Sequence, residues 1–325
     1  MSQAIVLRQY GGPEVLIAET QAVGDPGQGQ LRIRQTAIGV NFHDIYVRGG
    51  QVQALELPGV PGIEAVGRVE AIGPDVQGFS IGDRIAYVSP AYGGYAQERL
   101  LPADIALKLP EALDDDVVVA ASLMKAFSTC MLLRRLGDLR PGQTILVHAA
   151  AGGMGQFLCN WAKALDLKVI GTVGSVEKGA VAKAAGADQV LYYRQEDVIA
   201  RVLEITGGTG VAVAYDSVGA DTFQTSLDCL DYGGSLVSFG QSSGPVAPFA
   251  PSLLAGRSLS ISRPIVFHYL RTAQQRAAMA QEVFAAFETG VLRPATPLRF
   301  ALSEAPQAHR VLEAGASPGG VVLIP

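Results

Sequence analysis

The chain has 325 residues, 49% of them hydrophobic and 17% charged, with a formal net charge of −5. That length suggests about two domains and a large buried core. The acidic balance, with a pI near 5.4, gives no electrostatic footprint for nucleic acid or for an acidic membrane surface. No run approaches the roughly 18 apolar residues of a membrane span; the longest, VVVAASLM at 117–124, lies between Asp114–Asp116 and Lys125. The N-terminal MSQAIVLRQY has no secretory h-region, so a cytoplasmic protein without membrane partners is expected. Cys130, Cys159 and Cys229 lie far apart, as do His43, His148, His268 and His309. Neither a disulfide framework nor a metal site is expected from them.

From the start to about residue 122 the pattern is strand-like and broken by Gly and Pro: IVLRQYGGPEVL, GQLRIRQTAIGV, GIEAVGRVEAIG and IGDRIAYV. It predicts a mostly antiparallel β domain. From about 123 to 265, TILVHA, LKVIGTV, QVLYY, VAVAYDSVG, GSLVSFG and LSISRPI alternate with alanine-rich helical segments. This alternation predicts an α/β, doubly wound parallel sheet. The segment 272–290 predicts a helix capped by Gly290, and TPLRFAL and GGVVLIP read as strands that return to complete the first domain. The expected organisation is therefore one domain of 1–124 and 266–325 around a second of 125–265.

Within the second region, VHAAAGGMG at 147–155 follows a predicted strand and opens a helix whose Phe157, Leu158, Trp161 and Leu165 would face a sheet. Ala149, Gly152 and Gly155 give the spacing AxxGxxG, a variant of the dinucleotide fingerprint. Side chains are missing there because the backbone must approach a bulky anion, met by unpaired N–H groups and the positive end of the helix dipole. The next strand ends in Val173, Gly174 and Ser175, with Lys178 close behind and Glu177 past the expected position of a ribose-binding acid. A tip without a carboxylate, beside a lysine and a hydroxyl, favours a 2′-phosphate and hence NADPH.

VHAAAGGMGQ, IGTVGSVEK, YDSVG and SFGQSSG, with AIGVNFHDIYVR near the start, resemble the zinc-independent NADPH:quinone oxidoreductases, the zeta-crystallin-like branch of the medium-chain dehydrogenases. The resemblance runs from YGGPEVL at 10–16 to the closing VVLIP. It implies a GroES-like catalytic domain built from both chain ends, a central Rossmann domain, and a cleft holding cofactor and substrate. It also implies that Asn41 and Tyr46 lie near the nicotinamide, with Ser128, and form the catalytic end. Gly152, Gly153, Met154 and Gly155 would cradle the pyrophosphate. Gly174, Ser175, Lys178 and Tyr193 would bracket the 2′-phosphate. Ser217, Phe239, Gly240 and Ser242 would line the ribose and nicotinamide side, and Phe267 the domain junction. Zinc-dependent relatives have a Cys and a Gly-His-Glu where this chain has Asn41 and Gly62-Ile63-Glu64, so no metal is expected. Three positions depart from the family pattern. Val52 replaces a tyrosine that would face the substrate, His43 stands where an apolar residue is usual, and Gly315 replaces an arginine that some relatives direct to the phosphate.

The expected activity is NADPH-dependent reduction of a small quinone or another conjugated carbonyl acceptor without metal. A 2-enal or 2-enoyl thioester reductase is the alternative, with His43 or Tyr46 as the proton donor, and a non-catalytic dinucleotide-binding protein is the alternative of another class. The apolar LSISRPI at 259–265 reads as an edge strand that pairs with its twin, so a homodimer is expected.

Overall fold

A computed structural model describes residues 1–136, 138–317 and 319–325. Contacts divide them into one unit of Met1–Met124, Leu270–Glu288 and Pro294–Pro325, and a second of Lys125–Tyr269 with Thr289–Arg293.

The first unit begins with a hairpin of β1 (Ser2–Leu7) and β2 (Leu16–Gln21). The long β3 (Gln30–Val40) leads into the short helix α1 (Phe42–Arg48). There follow β4 (Glu64–Ile72), β5 (Arg84–Val88), β6 (Glu98–Pro102), β7 (Leu107–Lys108) and α2 (Asp116–Ala120). Asp115 caps α2 by accepting from the Val117 and Val118 N–H groups at 2.9 and 3.1 Å, which is why the acidic run ends where the helix starts.

The second unit takes in most of α3 (Leu123–Arg134) and then alternates strand and helix: β8 (Thr144–Val147), α4 (Gly153–Ala164), β9 (Lys168–Val173), α5 (Val176–Ala184) and β10 (Gln189–Tyr192). It continues through α6 (Val198–Ile205), β11 (Val211–Asp216), α7 (Phe223–Asp228), β12 (Leu230–Ser238) and β13 (Ser260–Ser262). The chain then returns to the first unit as α8 (Ala273–Glu288), β14 (Leu298–Ala301), α9 (Ala305–Glu313) and β15 (Val321–Ile324).

The first unit's main sheet runs β14-β15-β3-β4-β5-β7, with β6 paired to β3. Its pairs are antiparallel except β14 with β15. The two closing strands thus complete the domain that the N-terminal strands begin. Ile5, Leu31, Ile33, Ile38, Ile85, Tyr87, Tyr95 and Leu323 are fully buried in its core.

The second unit's sheet is all parallel, in the order β10-β9-β8-β11-β12-β13. The six apolar runs read from the sequence are its six strands. Helix α4 buries Phe157, Leu158 and Trp161 of the face expected of it, while Leu165 caps its C-terminus and is half-buried. The edge strand is shorter than LSISRPI suggested. Arg263 leaves the ladder, its guanidinium donating to the Ser238 and Gly240 carbonyls at 3.1 and 2.8 Å. In this sheet the order reverses direction between β8 and β11, the switch point at which doubly wound sheets bind ligands beyond their strand C-termini. Among the described residues no helix is long and apolar enough to cross a membrane.

Candidate active site

The cradle starts where β8 ends. Ala149 takes a left-handed conformation, φ +51°, so the chain reverses through Ala150 and Ala151 to Gly152, whose N–H returns to the Ala149 carbonyl at 2.9 Å. Gly152 caps α4 without a side chain, leaving the first N–H groups of the helix for a ligand. Gly155 is fixed by contact: a Cβ there would stand 2.3 Å from the Ala149 oxygen. Close helix-to-turn packing therefore needs glycine. A Cβ on Gly153 would lie 3.2 Å from Lys125 Nζ, so a cation that the sequence reading passed over stands beside the glycine turn. Ser128 follows Lys125 on α3, half-buried, and the neighbouring Thr129 hydroxyl donates to the Lys125 carbonyl at 2.8 Å.

At the end of β9 the structure gathers Gly174, Ser175, Lys178 and Tyr193. Strands β9 and β10 end in register, Val173 beside Tyr192. The exposed Tyr193 ring lies over Gly174, where a Cβ would come within 2.7 Å of its hydroxyl. Ser175 caps α5, accepting from the Lys178 N–H at 3.3 Å. Its hydroxyl also donates to Glu177, holding that carboxyl below its usual range. Lys178 is exposed beside it. Arg194 places its guanidinium 5.9 Å from the centroid of the Tyr193 ring, a second cation at this end that sequence reasoning missed.

The third group surrounds Asp216 at the end of β11. This buried carboxylate accepts from the Val218 and Gly219 N–H groups (2.7 and 3.1 Å) and from the Thr222 and Ser226 hydroxyls (2.8 and 2.9 Å). It shapes the turn that carries Ser217. Gly240 packs against that turn, since a Cβ there would fall 2.4 Å from the Ser217 oxygen. The Phe239 N–H donates to the Asp216 carbonyl (2.8 Å) and the Ser242 N–H to that of Ser217 (3.2 Å). Ser217, Phe239, Gly240 and Ser242 are thus one cluster, while Phe267 is half-buried on the single turn Val266–Tyr269. Asp216 was legible only as the aspartate of YDSVG, with nothing in that motif to show that it organises the loop.

In the first unit, Asn41 caps α1. Its backbone N–H donates to Asp44 Oδ2 at 2.8 Å and its amide Nδ2 to Glu64 Oε1 at 2.7 Å. Glu64 is buried and also accepts from the Met124 N–H at 2.6 Å. Burial pushes the Asp44 carboxyl up to about 7, even though the Asn41 N–H and the Tyr95 hydroxyl favour its charged form. Tyr46 is half-buried one turn on, its ring 6.3 Å from that of Phe42. At the positions where zinc relatives place ligands, the chain has an amide bound to a carboxylate and the buried apolar Ile63.

A parallel six-stranded sheet with a glycine cradle at its switch point, in a chain whose two ends build a second, mostly antiparallel sheet, defines a medium-chain dehydrogenase or reductase. Residues 27–111 match the alcohol dehydrogenase GroES-like domain family and residues 153–283 the zinc-binding dehydrogenase family. A quinone oxidoreductase of Pseudomonas aeruginosa is 44% identical over the whole of both chains. The crystal structure of Escherichia coli quinone oxidoreductase complexed with NADPH superposes with a TM-score of 0.96 at 40% identity, covering 99% of this chain and 100% of that one. A 2-haloacrylate reductase from Burkholderia sp. is 41% identical over 100% of this chain and 99% of its own. The chain belongs to the quinone oxidoreductase family of medium-chain reductases.

Proposed function

We infer that the protein is an NADPH-dependent reductase that passes hydride to a quinone or a related conjugated carbonyl compound without a metal. The observation that carries this reading is the match, end to end, to a quinone oxidoreductase solved with NADPH, in a chain whose own adenosine end suits the extra phosphate. The residue at the tip of β9 is not an acid, and Lys178, Tyr193 and Arg194 stand around it beside the Glu177 carboxyl that the Ser175 hydroxyl holds.

The glycine turn fits a dinucleotide because Gly155 lets α4 pack closely on the turn and the first N–H groups of that helix are left for an anion. Bound NADPH supplies the hydride. The N–H groups of Gly153, Met154 and Gly155, with the dipole of α4, hold the pyrophosphate, while Gly152, its own N–H turned back to the Ala149 carbonyl, closes the turn that presents them. Gly174, Ser175, Lys178 and Tyr193, aided by Arg194, hold the 2′-phosphate. Ser175 turns from Glu177 to do so, and the phosphate contact rests mainly on the cations. Ser217, Phe239, Gly240 and Ser242 orient the ribose and nicotinamide, with Ser128 and Phe267 as flanking walls. Asn41 and Tyr46 serve as the catalytic end, Asn41 steadied by Glu64. In this reading the second unit is the NADPH-binding domain and the first the catalytic domain. The protein's contribution is geometry and exclusion of water.

A conjugated acid or enal is the second reading, favoured by the 41% identity to a 2-haloacrylate reductase. Oxidation of NADPH by the purified protein, followed at 340 nm across quinones, enals, 2-haloacrylate and enoyl thioesters, separates the two. Binding of NADPH without oxidation by any of them favours a non-catalytic dinucleotide-binding protein. Metal independence is supported by Asn41 and Ile63 at the two ligand positions, since an amide and an alkyl chain make no zinc site with Glu64. Three free, buried cysteines suit a reducing cytoplasm. A homodimer joined through β13 accounts for a parallel sheet that ends in a short strand with the exposed Ile265 beyond it.

A further inference from the structure

His43 stands in the first turn of α1, where the family pattern calls for an apolar side chain. A half-buried imidazole calls for polar partners, and its Nε2 lies 3.0 Å from the Tyr92 hydroxyl oxygen. The two rings also stack, with centroids 5.9 Å apart and planes 9° from parallel. Tyr92 belongs to the loop after β5, and the backbone of this loop is pinned along residues 60–63. Ser89 donates to Ile63 at 2.8 Å, Gly93 to Val60 at 2.8 Å and Gly94 to Gly62 at 3.0 Å. The tyrosine is therefore held from two sides, by the pinned backbone of its loop on either side of it and by His43. It stands at the end of the first unit where Asn41 meets Glu64, and where zinc relatives carry their metal.

We propose that Tyr92, positioned by His43, donates the hydrogen bond that polarises the carbonyl oxygen of the acceptor. This rests on the reductase reading above. Hydride from NADPH adds to the conjugated acceptor and leaves negative charge on that oxygen. The Tyr92 O–H stabilises the charge, and a proton from water completes the hydroquinone or enol. A preorganised O–H donor can hold such charge without a Lewis acid. Val52 cannot serve, although its N–H ties it to the Tyr46 carbonyl at 3.1 Å, because it replaces the tyrosine of relatives with an alkyl side chain. The protonation states suit the role. Burial holds His43 down at about 4, so it is neutral at working pH and offers one donor and one acceptor nitrogen. Burial and the nearby Asp44 raise Tyr92 to about 12, which keeps its O–H in place.

The test is Tyr92→Phe assayed with NADPH and 1,4-naphthoquinone. The expected result is a loss of kcat of about tenfold to a hundredfold, a smaller solvent deuterium isotope effect, and a Kd for NADPH within twofold of wild type. Quinone binding to the protein without NADPH, read by fluorescence quenching, should also weaken. His43→Phe keeps the stacked ring and loses the nitrogen, and should give the same acceptor-selective loss on a smaller scale. Tyr92→Phe with unchanged kcat, or with NADPH binding lost in parallel, would overturn the role of Tyr92. A wild-type enzyme that oxidises no NADPH with any quinone or enal would overturn the reductase reading itself, and this inference with it.

Discussion

Ala149 adopts φ +51° at the head of the cradle, a conformation that costs an L-residue with a Cβ roughly 1–2 kcal/mol. Ala149→Gly should relieve that strain against a smaller loss of unfolded-state restriction, raising stability by about 0.5–1 kcal/mol in urea unfolding. The opposite holds at Gly155, whose added Cβ would meet the fixed backbone of Ala149 and Ala150 at 2.3 and 2.6 Å. Gly155→Ala should destabilise by about 1–3 kcal/mol through overpacking and weaken NADPH and NADH alike, read by calorimetry of each cofactor. Lys178 acts on only one of the two. Removing a charge-assisted contact costs about 1.5–3 kcal/mol, so Lys178→Ala should weaken NADPH roughly tenfold to a hundredfold and leave NADH nearly unchanged. Equal losses for both cofactors would show Lys178 to be a solvated surface lysine. Arg194→Ala should reproduce part of the NADPH effect, because the arginine reaches the same end over the Tyr193 ring.

At the scale of elements, α1 is tied to the rest of the first unit by a chain of buried polar groups. Arg48 in its last turn pairs with Glu313 of α9, and its Nη1 lies 3.2 Å from His309 Nδ1. His309 Nε2 in turn lies 2.9 Å from the Tyr95 hydroxyl, which donates to Asp44 at 3.2 Å. The helix has only seven residues, too few to stand on its own hydrogen bonds, so this buried polar chain positions Asn41 and Tyr46. The chain has a pH signature. Asp44 titrates near 4 when unfolded and at about 7 when folded, so the folded state binds its proton more tightly. The stabilisation it gives is complete below pH 4 and is lost as pH rises to about 7. Chemical denaturation across that window should show wild-type stability falling from this group, and Asp44→Asn should flatten the slope. Identical slopes in the two proteins would show that Asp44 is ionised throughout. Strands β8 to β13 and helix α4 could be read from apolar runs and a 3.6-residue period because those patterns are local. The parallel pairing of β14 with β15 and the early end of β13 could not. The first depends on where the returning chain meets β3, and the second on Arg263 finding carbonyls some 23 and 25 residues away.

For the whole molecule, the two remaining expectations are metal content and assembly. Elemental analysis should find no stoichiometric zinc, and activity should survive chelation; one zinc per chain with loss on chelation would contradict the reading of Asn41 and Ile63. Light scattering at micromolar concentration should give twice the chain mass, and a monomer would remove the pairing through β13. The sequence by itself determined the family, the α/β class, the return of the C-terminal strands to the first sheet and the glycine turn. Each of these is written either in local periodicity or in the absence of a side chain at a fixed spacing. It also identified His43 and Val52 as departures, without showing what compensates for them. Only the tertiary structure decided that Lys125 stands beside the cradle, that Arg194 lies over Tyr193, that Asp216 gathers the Ser217 turn, and that His43 meets Tyr92. All four are made by side chains, and the pairs Lys125–Gly153 and His43–Tyr92 join residues far apart in the chain. Such pairs are set by the packing of whole sheets, and residue type and spacing carry no record of them.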